Sequence, residues 1–586
     1  MHESFPRVIR KTIVRRQVDN ETRLSSKLHP VVERVYAARN VNSADDIDYS
    51  LERLLSYTLL SNIDDASQLL ANALEGNKRI LVVADYDADG ATACAVALRG
   101  LRSMGAENVE FIVPDRFVHG YGLSPEVVLM AKEQSPDVLV TVDNGISSIE
   151  GVALARELGM EVLITDHHIP GAVLPDANVI VNPNLEGDAF PSKALAGVGV
   201  MFYVLAALRS KLRDLGWFES RGIAVPNLAT LLDLVALGTV ADVVPLDFNN
   251  RLLVAQGLQR IRQKRCVAGI TALLLVSRRN PQSLVASDLG FALGPRLNAA
   301  GRLTDMRLGI ECLCCDSQEK ALELAGKLDA LNRERREIQS DMEDEARTLL
   351  DSLNLASREK LPSGICLYQE HWHQGVVGVL ASRVKEFTHR PVIVFARESE
   401  HELKGSARSI RGIHIRDVLE SIATANPGLL GKYGGHAMAA GLSLEEKDYE
   451  KFCELFDKAV AEKIQVNGFD DELISDGELK ATEINLGLGE QLKSAGPWGQ
   501  EFPEPLFDGV FKVLESRIVG EQHLKLTLGT FDNELEVDAI AFYTTDADWP
   551  DNYEFVKLAY HLDVNEYRGR KTPQLLVNYI EPTSHP

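Results

Sequence analysis

The chain has 586 residues, 45% hydrophobic and 25% charged, an ordinary globular composition at a length that suits roughly three to five domains. Its formal charge of −23 argues against a protein that coats nucleic acid nonspecifically, but not against a nucleic-acid enzyme working through local basic patches and bound cations. The amino end lacks the apolar stretch of a signal peptide, and the longest apolar run, 194–208, is shorter than the roughly 20 residues of a membrane span. Seven cysteines, three of them at Cys312, Cys314 and Cys315, have neither zinc-site spacing nor a disulfide pattern, so we expect reduced thiols and a cytoplasmic protein.

Residues 1–48 read as an amino-terminal arm with one short helix at 30–39. From about residue 51 the pattern becomes regular: helix at 66–74, strand at 79–84, the stretch DYDADG at 85–90, and a small-residue helix at 91–101. Strands follow at 109–113, 137–142, 161–164 and 177–181, with a helix at 148–158. Strands alternating with helices predict right-handed crossovers and a doubly wound parallel sheet, an α/β domain over 49–250.

The polar residues of this segment gather at strand ends. Asp85, Asp87 and Asp89 follow the first strand, Asp143 ends VTVD, Asp166, His167 and His168 end ITDHH, and Asp242 interrupts the apolar LVALGTVADVVPL. Open α/β sheets place their sites at this edge. Carboxylates and imidazoles converging there are what a two-metal centre needs, with a carboxylate bridging cations about 3.5–4 Å apart. Singly, each has a plainer reading: an acidic turn or calcium loop for DYDADG, a turn former for Asp143, a strand cap for the histidines, a helix-end hydrogen bond for Asp242. Together those readings require four coincidences on one edge. Asp233, nearby, reads as a structural acid on a helix surface.

Downstream, a helix at 249–262 leads through a helical connector, 251–355, to GPRLNAAGRL at 294–303. We read this as a glycine-flanked loop in which Arg296, Asn298 and Arg302 offer donors to phosphate. A charged helical pattern at 317–353 reads as a spacer joining two lobes. A smaller α/β unit, 356–465, has strands at 365–368 and 392–395, then LKGSARS and KYGGHAMAAGLSL. Ser406 and Arg408 in an extended segment, and His436 after two glycines, are placed to hold phosphate. Trp372 between His371 and His373 is open to base stacking, with a packed loop the plainer reading. Short alternating strands from 466 onward predict a small β-barrel, with Lys512, Arg517, His523, Lys525, Tyr567 and Arg568 as candidate contacts to a single strand.

DYDADG, VTVDNGISS, TDHH and GTVADVVPL, in that order, resemble the successive motifs of the DHH phosphoesterase family. LAGVGV, GPRLNAAGRL, HWHQGVVGVLASR and KYGGHAMAAG narrow the likeness to the family's bacterial branch of single-strand-specific 5′-to-3′ DNA exonucleases, over nearly the whole chain. The resemblance implies a parallel-sheet DHH domain joined by a long helix to a smaller α/β DHH-associated domain that closes over the site. It also implies an oligonucleotide-binding (OB) barrel at 466–586, reached through GPWGQEFPEPLF.

It implies two divalent cations, manganese or magnesium, that drive in-line hydrolysis of single-stranded DNA to 5′-mononucleotides, in recombination and repair. Asp143 would bridge the cations, with Asp87, His167 and Asp242 on one side and Asp85 on the other. Many members carry a histidine where this chain has Leu81, and Asp89 would compensate. His168 would touch the scissile phosphate. A 5′-to-3′ polarity requires that something sense the 5′ end, and our own expectation is that Ser406 and Arg408, with Arg116 of PDRF, bind the terminal 5′-phosphate. Single-strand-binding protein and a RecQ-type helicase are the implied partners, and the chain is expected to be a monomer. Two alternatives remain: a phosphodiesterase or pyrophosphatase for small substrates, which the barrel disfavours, and an inactive DNA-binding scaffold, which the intact ligand set disfavours.

Overall fold

A computed structural model of the chain describes residues 11–18, 24, 28–116, 118–119, 122–352, 362–467, 472–520, 523–530, 535–542, 544, 553–567 and 569–583. Residues 1–10 of the expected arm, Arg568 and the side chain of Tyr567 lie outside what is described. Contacts divide the chain into two compact units, Met1–Thr12 with Arg333–Leu473, and Ile13–Asn332 with Ile474–Pro586.

The larger unit is built on a five-stranded parallel sheet of β1 (Ile80–Ala84), β2 (Val109–Ile112), β3 (Val138–Val142), β4 (Glu161–Thr165) and β5 (Val179–Val181), in the order β2–β1–β3–β4–β5. Every residue of β1 and β3 is buried, which is why both strands read as unbroken apolar runs without alternation. Ala84, Val142, Thr165 and Val181 are successive register partners, so Asp85, Asp143, Asp166 and Asn182 leave the sheet at one level. The chain goes from β1 to one side and returns to β3 on the other, so Asp85 and Asp143 flank the switch point, where open sheets form a crevice.

Helices α1 (Ala88–Ser103), α2 (Gly197–Asp214) and α3 (Leu232–Ala241) pack beside this edge. Helix α1 starts three residues earlier than expected. Asp87 caps it, its carboxylate accepting the N–H groups of Asp89 and Gly90 at 2.9 and 3.0 Å, so the second half of DYDADG is a first helical turn rather than a loop. A second correction concerns GPRLNAAGRL, which is a helix, α4 (Gly294–Leu303), that opens with proline in its first turn. A third concerns Asp233, which is fully buried and accepts N–H groups from Leu234 and Val267, so it is structural without being on a surface.

The carboxy-terminal strands Phe507–Val519, His523–Gly529, Glu536–Ala541, Phe555–Tyr567 and Arg570–Thr583 close into a five-stranded barrel. Its apolar interior is continuous with the core around the parallel sheet. The helix Pro30–Ala37 is fixed to the connector before the barrel: Tyr36 donates to the Ala495 carbonyl, and Arg39 makes a buried two-pronged pair with Asp476 at 2.8 and 2.9 Å. Breaking one side of such a pair costs about 3–5 kcal/mol, because the other charge is left buried and alone.

The division between the units falls within the helix Gln318–Ser352. The smaller unit carries a five-stranded mixed sheet, with the parallel pair Ile365–Tyr368 and Val392–Arg397 at one edge. Trp372 is buried, and both it and His371 bond to Glu345, which is the packed loop. All seven cysteines are free. Among the described residues no helix is long and apolar enough to cross a membrane.

Candidate metal centre

Seven of the residues singled out in the sequence meet at the level edge of the sheet. Asp85 leaves β1 and Asp143 leaves β3, both buried. Asp143 takes a left-handed backbone, φ 62, which aspartate tolerates better than most residues. The turn is held by Asn144, whose amide donates to the carbonyls of Val83 and Val142 at 3.0 and 2.9 Å. Asp89, in the first turn of α1, receives the amino-terminal N–H groups of α2, from Gly197 at 2.6 Å and Val198 at 3.0 Å. His167 Nε2 lies 3.0 Å from Asp143, 3.5 Å from Asp242 at the end of α3, and 4.0 Å from Asp89.

Donor atoms within 4.8 Å of one another form three overlapping groups: Asp85, Asp87 and Asp143; Asp89, His167 and Asp242; Asp143, His167 and His168. Asp143 and His167 each belong to two of them. In these groups Asp87 falls with Asp85, and Asp89 with His167 and Asp242. Leu81 is buried within β1.

Such crowding is costly for anions alone. Burial first, and then the neighbouring carboxylates, push Asp85, Asp89 and Asp143 well above the usual carboxylate range, and Asp242 up to about 7. Divalent cations relieve that repulsion, and carboxylate oxygens with one or two imidazole nitrogens form a donor set that suits manganese and magnesium.

Asp166 does a different job from its neighbours. Its carboxylate accepts the N–H groups of Ile146, His167 and His168 and bonds His168 Nδ1 at 2.7 Å. Burial, the largest single influence, acts to lower the His168 pKa, but the bond to Asp166 and the charges of Asp166, Asp242 and Asp85 together outweigh it and raise the imidazole to about 9, leaving it cationic at neutral pH. Asn182 and Asn184 donate to the carbonyls of His168 and His167. The sequence reading gave none of Asn144, Asn182, Asn184 and Gly197 a role. Their one visible signal was position, directly after strands or inside LAGVGV.

GPRLNAAGRL supports this site from behind. The Asn298 side-chain oxygen accepts the Ala88 N–H at 2.8 Å, and a Cβ at Gly301 would lie 1.9 Å from the Tyr86 carbonyl oxygen, so α4 rests directly on DYDADG. Arg296 is buried and spent on Asp329 and the Ala292 carbonyl. Arg302 acts electrostatically on Tyr86, and Arg116 stacks 4.6 Å from the centre of the same ring. In the smaller unit, Arg408 reaches Ser406 Oγ at 3.2 Å, and both crowd the space where Gly378 would carry a Cβ. His436 turns the hairpin whose second strand pairs Ala439 with Arg408.

Sequence comparison bears on what this geometry serves. The family model described as the DHH family, N-terminal domain, matches residues 79–239, the DHHA1 domain 362–462, and the RecJ OB domain 475–579. The single-stranded-DNA-specific exonuclease RecJ of Salmonella typhimurium is 54% identical, over 97% of this chain and 98% of the relative. The chain belongs to the RecJ family. RecJ of Escherichia coli is 52% identical over the same shares. Among solved structures, RecJ from Thermus thermophilus in complex with Mn2+ superposes with a TM-score of 0.77 at 31% identity, covering 95% of this chain and 77% of that one. RecJ from the same organism has also been crystallised with Mg2+, giving a TM-score of 0.71 at 28% identity. Both metals named for these RecJ structures are ones the donor set accommodates.

Proposed function

We propose that this chain is a metal-dependent exonuclease that digests single-stranded DNA from the 5′ end and releases 5′-mononucleotides. The observation that carries this reading is the convergence of Asp85, Asp87, Asp89, Asp143, His167 and Asp242 at one level of the sheet, within reach of shared cations. When bound, two cations supply a water nucleophile at neutral pH and stabilise the leaving 3′ oxygen. Asp143 and His167, each shared by two donor groups, would hold the cations together with Asp85, Asp87, Asp89 and Asp242. Cationic His168, oriented by Asp166, holds the scissile phosphate.

Polarity requires a group that senses the terminus. In the smaller unit Ser406 and Arg408 hold the 5′-phosphate and His436 is a further phosphate contact; in the larger unit Arg116, Asn298 and Arg302 are phosphate contacts and Arg296 braces α4. Lys512, Arg517, His523 and Lys525 of the barrel bind the incoming strand. We further propose a cytoplasmic monomer acting in recombination and repair, with single-strand-binding protein and a RecQ-type helicase as partners. Digestion of a 3′-labelled single strand with manganese, beside the same strand in a duplex and beside Asp143→Ala, tests the core of this reading. Progressive shortening of the single strand alone, lost in the variant, is expected; no cleavage with either metal overturns it. Arg408→Ala should erase the preference for 5′-phosphorylated over 5′-hydroxyl ends, and an unchanged preference in competition assays removes Arg408 from that role.

A further inference from the structure

Beside the metal centre the larger unit holds a cleft of about 1130 Å3. It is lined by residues around the end of α3, by the segment before α4, by residues 255–262, by the connector near Trp498 and by the barrel strand at His561–Asp563. Two apolar side chains of this lining are out of place by ordinary rules. Phe291 is 78% exposed, and Val243, the residue after Asp242, is 63% exposed.

The backbone at both positions is unusual. Val243 holds a left-handed φ of 62, an outlier for a β-branched residue, whose branch clashes there with the chain. Phe291 sits in a single π-helical turn, Leu289–Leu293, a distortion that tends to mark functional sites. That turn lies on α3, where a Cβ at Gly290 would come within 3.3 Å of Val240. Strain retained at an exposed apolar residue points to use rather than to packing.

The charged residues that line the cleft nearly balance: Arg262, Arg278, Arg279 and Lys493 stand with Asp288, Glu504 and Asp563, in a chain of net charge −23. What sets the cleft apart is its exposed aromatic ring, a surface on which any nucleobase can stack. We infer that Phe291 and Val243 form a platform on which nucleobases of the single strand rest as it passes from the barrel to the metal centre. The inference rests on the exonuclease reading and adds to it a residue pair that contacts bases.

Binding in EDTA, where nothing is digested, tests the pair. The probes are a fluorescent 5′-phosphorylated oligothymidylate and the same strand carrying a run of abasic residues. Phe291→Ala should weaken binding of the thymidylate strand about tenfold or more, as loss of one stacked base does. Phe291→Tyr should bind like the parent. Val243→Asn should also weaken binding while leaving the melting temperature unchanged or higher, since asparagine accepts a left-handed φ. On the abasic strand all four proteins should bind alike. Parent-like binding by Phe291→Ala and Val243→Asn overturns the inference, as does equal weakening on the abasic strand. Digestion of single strands by the parent protein with manganese is scored separately. If it proceeds while the variants bind normally, the platform fails alone; if the parent neither digests nor binds, the exonuclease reading fails and the platform with it.

Discussion

Asp143→Asn is expected to abolish digestion of single-stranded DNA, by about a thousandfold or more, and at the same time to stabilise the metal-free protein. The two effects share one cause. Asp143 is a buried carboxylate beside Asp85, Asp87 and Asp89, held above its usual pKa range first by burial and then by those neighbours. Replacing it with an isosteric neutral amide removes repulsion when no cation is present. When cations are present the same change removes the ligand shared by two groups, and a metal supplies several kcal/mol of transition-state stabilisation, each 1.36 kcal/mol being tenfold in rate. Melting in EDTA should therefore shift upward by about 2–4 °C, the effect of roughly 1 kcal/mol in a large domain. The further rise on adding manganese should shrink or vanish. A variant that keeps both its activity and the full manganese-dependent rise would show that Asp143 is not a ligand.

Gly197→Ala should damage the same centre without touching any ligand. A Cβ built there would stand 2.6 Å from Asp143 Cβ, 2.7 Å from its Oδ1 and 2.9 Å from its Cα, and two of those atoms cannot swing aside. The amino terminus of α2 must then back away, taking with it the N–H groups that hold Asp89. We expect manganese affinity, measured by calorimetry, to fall about 10–100-fold, as it does when groups supporting metal ligands are changed. Overpacking should also cost about 1–3 kcal/mol of stability. Gly199→Ala is the control: the three atoms nearest its new methyl would all belong to the side chain of Leu195 and none to a candidate ligand, so metal affinity should stay near that of the parent. Equal effects of the two substitutions would mean that helix propensity, not the approach to Asp143, explains the loss.

The parallel sheet and its edge were legible because burial on both faces leaves unbroken apolar strands, and because carboxylates directly after such strands have few structural uses. What stayed hidden depends on contacts across long stretches of chain. GPRLNAAGRL looked like a loop because of its glycines, yet Gly301 is there to let α4 touch the Tyr86 carbonyl, and Arg296 is neutralised by an aspartate 33 residues away. Proline at the start of that helix was the overlooked signal. Asp166 is spelled like a ligand but is consumed by backbone N–H groups and by His168, which only the turn geometry reveals. Asp233 looked like an exposed acid because its partner, the Val267 N–H, is not a side chain and leaves no mark in the sequence.

The continuity of the barrel interior with the core of the parallel sheet has a consequence for the newborn protein. During synthesis, every candidate ligand of the metal centre has emerged by Asp242, but the barrel strands that complete the surrounding apolar core come only at 507–583. The smaller unit lies between these two parts of the sequence and is translated before the barrel as an almost uninterrupted segment, free to fold on its own schedule. The larger unit must keep its amino-terminal part waiting with apolar surface uncovered. A chain arrested anywhere before the barrel therefore carries all the chemistry and an unfinished interior, which makes it a substrate for chaperones and proteases rather than a shorter nuclease.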